Sequence, residues 1–300
     1  MIPFVSMPAF EYGRADRVSP LIRRVIANNP GPFTYTGTGT YIVGGDTPGA
    51  GVAVIDPGPL DNAHLAALLA AVEGQTVSHV LVTHTHRDHA PLAHPFARAV
   101  GAPILAAAPP ARTVHASASL DEEEDESFAP DIVLNGGERL EGDGWTLEAL
   151  ATPGHASNHM AFVLPEENAL FSGDHVMGWS TTIVAPPDGD MIAYMASLEA
   201  VIARGFSTIW PTHGAPITEP GPFLDAYRAH RLMREAQVLD RLAAGDRTIA
   251  EMVPVLYAGI DRRLWPAASL SVWAHLIALV RRGHATAEPE ATPQAVYRPV

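Results

Sequence analysis

Short apolar runs bounded by turn residues recur through the first two thirds of the chain. Runs of this length, rich in β-branched and aromatic residues, are typical of strands. They predict strands at residues 40–44, 51–56, 79–83, 103–107, 145–150, 160–164, 169–174 and 208–212. Apolar positions with helical spacing lie between them and predict helices at 60–73, 91–101 and 191–205. This alternation predicts an α/β fold in which helices cover sheets.

The pattern changes after "EPGPF" at residues 219–223. Three longer helical patterns follow, at residues 223–245, 248–259 and 264–283. The polar tail at 284–299 is compatible with a β-hairpin. We therefore predict two domains, a main domain at 1–220 and a small helical domain at 221–300.

The 300-residue chain has a net charge of -14, and this charge is unevenly distributed. Acidic residues strongly outnumber arginines in 1–220, whereas arginines slightly outnumber acids in 221–300. An acidic main domain argues against nucleic-acid binding driven by phosphate contacts, so only the C-terminal part leaves that function open. The acidic run in "SLDEEEDES" (119–127) predicts a solvated surface segment.

Three further features narrow the class of protein. The chain has no cysteine, which excludes disulfides and thiolate metal ligands. No apolar run approaches the length that a bilayer span needs, and the first residues lack a basic region followed by an apolar one. We therefore expect a cytoplasmic protein without a membrane partner, whose oligomeric state stays open.

The stretch "VLVTHTHRDHA" at residues 80–90 places His84, His86, Asp88 and His89 at the end of a predicted buried strand. Imidazole is costly to bury unless its nitrogens are satisfied, and it is a common ligand of transition metals. His84 and His86 alternate with Thr85, so an extended backbone directs both to the same side. A solvated, His-rich turn is the alternative.

Further residues able to bind metal follow later strands. His155 comes after the strand at 145–150, Asp174 ends the strand at 169–174, and His213 follows the strand at 208–212. Ligands on short loops at strand ends are a common way to build an open site. We predict a first metal held by His84, His86 and His155, a second held by Asp88, His89 and His213, and a bridge formed by Asp174.

The motifs "THTHRDH", "TPGH", "SGD" and "PTHG", with "VIDPG" at 54–58, resemble those of the metallo-β-lactamase superfamily over about residues 30–215. This resemblance implies a four-layer αββα sandwich with the site at one edge of the two sheets. It also implies that Asp56 orients a ligand histidine without binding metal itself. His159 fits the same orienting role, although a satisfied strand histidine is an alternative.

Details of the motifs indicate which branch of the metallo-β-lactamase superfamily the sequence resembles. The absence of cysteine excludes members that use it at the second metal, and an aspartate at 174 resembles the glyoxalase-II-like, lactonase-like and nuclease-like branches. These features argue against β-lactam hydrolysis as the activity. His86 stands where flavodiiron-type members carry Glu, which argues against an oxygen-reducing flavin partner. Residues 221–300 resemble the small winged-helix domain of β-lactamase-like-protein-2 relatives, a group that includes a single-strand-directed endoribonuclease. We favour a packing or covering role for this domain over groove binding.

These features predict a metal-dependent hydrolase in which a hydroxide shared by two metals attacks a small ester, thioester or lactone. Asp88 or Asp174 would orient this nucleophile. The alternative is an endoribonuclease acting on single-stranded RNA; a non-catalytic binding module is disfavoured because every ligand position is filled. The ligand set suits Zn²⁺, and iron or manganese accept it too.

The loop at 176–190 follows the predicted bridge directly and is placed to contact substrate. Trp179, Ser180 and Thr181 are the candidates for this contact. Trp179 could instead pack beneath the loop. His175, next to the bridge, is a further candidate for a catalytic role.

Overall fold

The strands of the main domain form two sheets. The computed structural model describes residues 1–110, 125 and 128–300. Within these ranges the first sheet has seven strands in chain order: β1 (Asp16–Arg17), β2 (Ile22–Ile26), β3 (Gly39–Val43), β4 (Gly51–Ile55), β5 (Thr76–Leu81), β6 (Ile104–Ala106) and β7 (Ile132–Val133). Strands β1 to β4 pair antiparallel, and β4 to β7 pair parallel.

The second sheet follows the first along the chain. Its five strands in the described residues are β8 (Arg139–Gly142), β9 (Trp145–Ala151), β10 (Met160–Leu164), β11 (Ala169–Gly173) and β12 (Thr208–Pro211). They lie in the order β12-β11-β10-β9-β8, with β11 and β12 parallel and the other pairs antiparallel. As a result, β9, β11 and β12 all end at the same edge.

Helices cover the outer faces of both sheets and build the C-terminal part. In chain order they are α1 (Asn62–Ala71), α2 (Ala93–Val100), α3 (Met191–Arg204), α4 (Pro220–Ala244), α5 (Ile249–Leu256) and α6 (Trp265–Arg281). Short 3₁₀ turns lie at Pro165–Glu167 and Arg262–Leu264. The hairpin of β13 (Ala285–Glu288) and β14 (Val296–Pro299) closes the C-terminal part.

Three apolar cores define the layers of the main domain. Alternate residues of both sheets interdigitate in the central core, where the rings of Tyr41 and Phe171 lie 5.0 Å apart. Helices α1 and α2 pack on the first sheet around Leu68 and Phe96. Helix α3 and the first half of α4 pack on the second sheet. The predicted four-layer αββα sandwich is therefore present.

Helix α4 belongs to two cores. Phe223 and Tyr227 in its first half pack with the main domain, whereas Val238 and Leu242 pack with α5, α6 and the hairpin. The domain boundary at 220/221 stays a prediction.

The strands and helices predicted from sequence are all present, with ends that differ by up to about three residues. The strands β1, β2, β7 and β8 were missed. The acidic segment 119–127 lies outside the described residues except for Asp125. Arg262–Arg281 has the length and hydropathy of a membrane span, which sequence analysis did not single out. One such helix is weak evidence for a membrane segment, because α6 buries Val272 and Leu276 in the C-terminal core.

Candidate metal centre

The segments that follow β5, β9, β11 and β12 bring their polar side chains to one place. Each segment begins just after its strand ends, at Leu81, Ala151, Gly173 and Pro211 respectively. Among the described residues, the side chains form three overlapping groups whose donor atoms lie within 4.8 Å of one another. The first group is His84, His86 and His155, the second group is Asp88, His89 and His213, and a third set of His84, His89 and Asp174 overlaps both.

The first group consists of three buried imidazoles. His84 Nε2 lies 2.9 Å from His86 Nδ1, which lies 3.2 Å from His155 Nε2. His84 and His86 contribute to the same group, as their alternation with Thr85 predicts. Three imidazole nitrogens converging in this way form a donor set typical of a zinc-type site.

The second group combines a carboxylate with two imidazoles. Asp88 Oδ2 lies 3.0 Å from His213 Nε2 and 3.4 Å from His89 Nε2. Asp174 lies between the two groups, with its Oδ2 3.6 Å from His89 Nε2, 3.4 Å from His213 Nε2 and 3.9 Å from His155 Nε2. The Asp174 carboxylate therefore reaches both groups, the position that a bridging ligand requires.

Hydrogen bonds at the outer nitrogens of three imidazoles determine which of their nitrogens faces the centre. His155 Nδ1 donates to Ile183 O at 2.7 Å, and His213 Nδ1 donates to Gly37 O at 3.2 Å. Because a carbonyl oxygen only accepts, Nδ1 carries a proton and Nε2 faces inward. His89 Nδ1 likewise bonds the Asp56 carboxylate at 2.9 Å. These bonds prepare Nε2 of all three residues for a metal.

Several inward-facing atoms make no hydrogen bond of normal geometry. His89 Nε2, His213 Nε2 and Asp174 Oδ1 are buried and lack such a bond in the part of the chain that the structure describes, although both nitrogens lie 3.0–3.6 Å from carboxylate oxygens. Buried polar atoms are normally satisfied, so such a cluster calls for an explanation. Divalent cations accept these lone pairs, and the residues present fit a pair of such ions.

The charges within the cluster divide the imidazoles into two classes. Burial, followed by the neighbouring imidazole of His155, lowers the pKa of His86 to about 3. Burial also favours the neutral form of His213, but the carboxylates of Asp174 and Asp88 outweigh it and raise its pKa to about 10. Negative charge is thus concentrated at the second group, where a divalent cation is attracted by the same field.

Asp56 supports the cluster without facing its centre. It is fully buried and accepts from Thr83 N at 2.7 Å, Thr83 Oγ1 at 2.8 Å, Thr212 Oγ1 at 3.0 Å and His89 Nδ1 at 2.9 Å. It links the segments after β5 and β12, and its φ of 49° lies in the left-handed region that Asp tolerates better than most residues. The bond to His89 Nδ1 is compatible with the orienting role that the sequence resemblance implied, and that role stays a prediction.

His159 and His175 lie behind the cluster. His159 Nε2 accepts from Asp174 N at 3.1 Å, so its proton lies on Nδ1, which bonds Thr152 Oγ1 at 2.8 Å. The His175 ring packs on Tyr194 with centroids 4.9 Å apart, and burial lowers its pKa to about 3. A catalytic role for His175 stays a prediction.

The loop at 176–190 continues directly from Asp174. Trp179 is half-buried and stacks on Tyr35, with ring centroids 4.8 Å apart and an interplanar angle of 9°. Ser180 and Thr181 are half-buried, and Ser180 O accepts from Tyr227 Oη at 3.4 Å. The Trp179 ring therefore has a packing partner, and contact of these three residues with substrate stays a prediction.

Sequence analysis did not identify the residues of helix α4 that form hydrogen bonds to this loop. Thr182 Oγ1 donates to Asp174 O at 2.7 Å, and Tyr227 and Arg231 of α4 bond to Thr182. Tyr227 and Arg231 are four residues apart, so they lie on the same helix face. The four-residue spacing was visible in the sequence, but it does not reveal which segment of the chain this helix face contacts.

Comparisons with known proteins agree with this architecture. A sequence profile described as "Metallo-beta-lactamase superfamily" matches residues 37–213, and one described as "Beta-lactamase associated winged helix domain" matches residues 248–292. The chain is 34% identical over 255 residues to an "Atrochrysone carboxyl ACP thioesterase" of Aspergillus chevalieri, which covers 81% of this chain and 75% of that protein. It is 30% identical over 231 residues to a "Beta-lactamase-like protein 2 homolog" of Caenorhabditis elegans, covering 75% of this chain and 72% of that protein.

A solved structure shares the fold over the whole length. The crystal structure of a beta-lactamase domain protein from Burkholderia ambifaria has a TM-score of 0.80 at 21% identity, covering 100% of this chain and 97% of that chain. At this identity the likeness shows the fold alone. The profile matches and the curated relatives show more: the chain belongs to the metallo-beta-lactamase superfamily of metal-dependent hydrolases and carries the winged helix domain associated with it.

Proposed function

We propose that the chain hydrolyses a small thioester, ester or lactone at a pair of divalent metal ions. The observation that carries this proposal is the convergence of seven donor side chains, six of them buried and Asp88 half-buried, with the Asp174 carboxylate between two groups. Members of the superfamily typically bind two metal ions.

The proposed ligands follow the two groups. His84, His86 and His155 would hold the first ion, Asp88, His89 and His213 would hold the second, and Asp174 lies where it could serve both. Imidazole nitrogens with a few carboxylate oxygens suit Zn²⁺ best, while iron and manganese accept the same donors. Zn²⁺ is therefore the ion we propose.

When bound, such a pair of ions supplies Lewis-acid chemistry, lowering the pKa of water to roughly 7 and polarising the oxygen that is attacked. The chain's own residues then orient the reactants. Asp88 and Asp174 can each accept a hydrogen bond from the attacking water, because carboxylate oxygens act only as acceptors when ionised. The bonds of His155 to Ile183 O and of His89 to Asp56 hold the imidazoles in place during attack.

A thioester is the substrate class that we favour. The acidic main domain disfavours polyanionic polymers. The curated relative from Aspergillus chevalieri, matched over 81% of this chain, is named "Atrochrysone carboxyl ACP thioesterase". A small acyl thioester fits both observations.

The endoribonuclease alternative has one supporting observation, the winged helix domain matched at 248–292. A helix that reads a groove needs an exposed face. Helix α6 has no exposed residue between 267 and 280, and it buries Val272, Leu276 and Leu279 in the C-terminal core. This burial favours a packing role for the domain over RNA binding.

We expect protein purified without chelator to contain about two metal ions per chain and to hydrolyse a panel of acyl thioesters. Turnover should change little between about 50 and about 200 mM salt, since a small substrate makes few charged contacts. Cleavage of single-stranded RNA through about four phosphate contacts should instead weaken about 50-fold over that range. Elemental analysis and parallel assays on thioesters, lactones and RNA measure these quantities.

The outcomes separate the two functions. Two metals with salt-insensitive thioester turnover support the proposal. Two metals with salt-sensitive RNA cleavage and no thioester turnover would replace it with the alternative. Protein that binds no metal under any loading condition would contradict both.

Removing the metals should also lower the melting temperature. A ligand present at about 1,000 times its dissociation constant stabilises the folded state by about 4 kcal/mol, which corresponds to roughly 10 °C for a domain of this size. Excess chelator should remove this stabilisation, and added Zn²⁺ should restore it. A melting temperature that chelator leaves unchanged would contradict a metal pair in the native protein.

A further inference from the structure

Helix α4 reaches the loop beside the metal centre through two buried side chains. Tyr227 is fully buried, and Arg231 is 4% exposed. The Tyr227 hydroxyl accepts from Thr182 N at 2.5 Å and donates to Thr182 Oγ1 at 3.0 Å. The Arg231 guanidinium donates to Thr182 O. All three polar groups of Thr182 are thus held by α4.

Thr182 and its neighbour continue this contact into the centre. Thr182 Oγ1, oriented by the Tyr227 hydroxyl, donates to Asp174 O at 2.7 Å. Ile183 O accepts from His155 Nδ1 at 2.7 Å. The residues proposed as the bridge and as one ligand of the first ion are therefore attached to two consecutive loop residues.

Arg231 is unusual in its surroundings. In the described part of the chain, no carboxylate lies within ion-pair distance of its guanidinium, which instead lies over the rings of Tyr194 at 4.8 Å and Tyr227 at 5.6 Å. A buried cation without a counter-charge is costly. Its hydrogen bond goes to the loop, so the guanidinium fixes the loop's position without forming an ion pair in the core.

We propose that Tyr227 and Arg231 are positioning residues that set the orientation of Asp174 and His155 through Thr182 and Ile183. The proposal rests on the proposed metal-ligand roles of those two residues. In this arrangement α4 joins the C-terminal part to the metal centre, and the strength of metal binding depends on that helix. The expected effect resembles that of other outer partners of metal ligands, whose loss typically weakens metal binding about 10- to 100-fold.

The test measures metal affinity of full-length variants. Tyr227→Phe removes one hydroxyl, and Arg231→Met removes the guanidinium while keeping an apolar stem. Tyr297→Phe is the matched control for the first, because the buried Tyr297 hydroxyl donates to Thr292 O at 2.7 Å within the C-terminal part. Arg228→Met is the control for the second, because Arg228 lies on the same helix and pairs with Glu199 of α3.

Zn²⁺ affinity is measured by competition with a chromogenic chelator, and melting in excess chelator checks the fold independently of metal. We expect Tyr227→Phe and Arg231→Met to weaken binding of at least one ion by about tenfold or more. Both controls should stay within about twofold of wild type. Arg231→Lys, which keeps a charged donor, should recover part of the loss.

Coupling through Thr182 provides a second readout. Thr182→Val removes the hydroxyl that links Tyr227 to Asp174 O. If Tyr227 acts through this hydroxyl, the double variant Tyr227→Phe/Thr182→Val should lose less affinity than the product of the two single losses.

Unchanged Zn²⁺ affinity in both α4 variants, with a lower melting temperature in chelator, would overturn the inference and leave only a packing role. Equal losses in the variants and their controls would overturn it as well. Wild-type protein that binds no Zn²⁺ would instead overturn the proposed function, and this inference with it.

Discussion

Asp174→Asn is expected to reduce kcat/KM on the best thioester substrate about 1,000-fold or more. The Asp174 carboxylate is nearly buried, and its Oδ2 lies within 3.9 Å of nitrogens from both groups. Asparagine keeps the shape but removes one negative charge and replaces one acceptor oxygen by a donor. Losing about 4 kcal/mol of metal and transition-state stabilisation corresponds to a factor of about 10³.

The same variant should lose metal, and this loss separates binding from chemistry. We expect fewer than two ions per chain by elemental analysis under conditions in which wild type retains two. Asp143→Asn is the control. Asp143 is exposed, lies in the turn before β9 at the opposite end of that strand from the site, and accepts a hydrogen bond from Gly51 N. Full metal content with full activity in Asp174→Asn would contradict the bridged two-metal mechanism.

Local sequence was sufficient to predict most of the donor set. His84, His86, Asp88 and His89 lie within six residues, so their proximity needs little knowledge of the fold. His155, Asp174 and His213 could be added because apolar runs predicted strands, and each residue follows one of those runs. The structure brings all seven together, while their role as ligands stays proposed.

Strand β2 shows what local pattern could not reveal. Arg23 and Arg24 interrupt its apolar run, so periodicity gives a weak signal there. Arg24 is nevertheless 5% exposed, because its guanidinium donates to Gly214 O at 3.1 Å. That partner lies 190 residues away, and only the folded chain brings it near.

The contacts of α4 illustrate the same limit at the site. The periodicity of residues 223–245 predicted the helix, but not that its first half would pack on the second sheet. Tyr227 and Arg231 meet Thr182 across 45 and 49 residues. Their contribution depends on where the two domains touch, which is a property of tertiary packing.

Asp56→Ala is expected to lower the free energy of unfolding by about 4 kcal/mol, a large loss for one substitution. Asp56 is fully buried, and its loss leaves Thr83 N, Thr212 Oγ1 and His89 Nδ1 without their acceptor. Each unsatisfied buried group costs about 1–3 kcal/mol. Alanine also tolerates the positive φ of this position less well than aspartate does.

Urea unfolding in excess chelator measures this loss without the contribution of metal. Asp56→Asn should fall between alanine and wild type, because the amide keeps one acceptor oxygen and tolerates the left-handed backbone. Asp143→Ala, which also removes a carboxylate bonded to a backbone N–H, should cost less than about 1 kcal/mol because its site is exposed. If Asp56→Ala cost no more than this control, the four hydrogen bonds of Asp56 would contribute little to joining the segments after β5 and β12. Another contact would then have to orient His89.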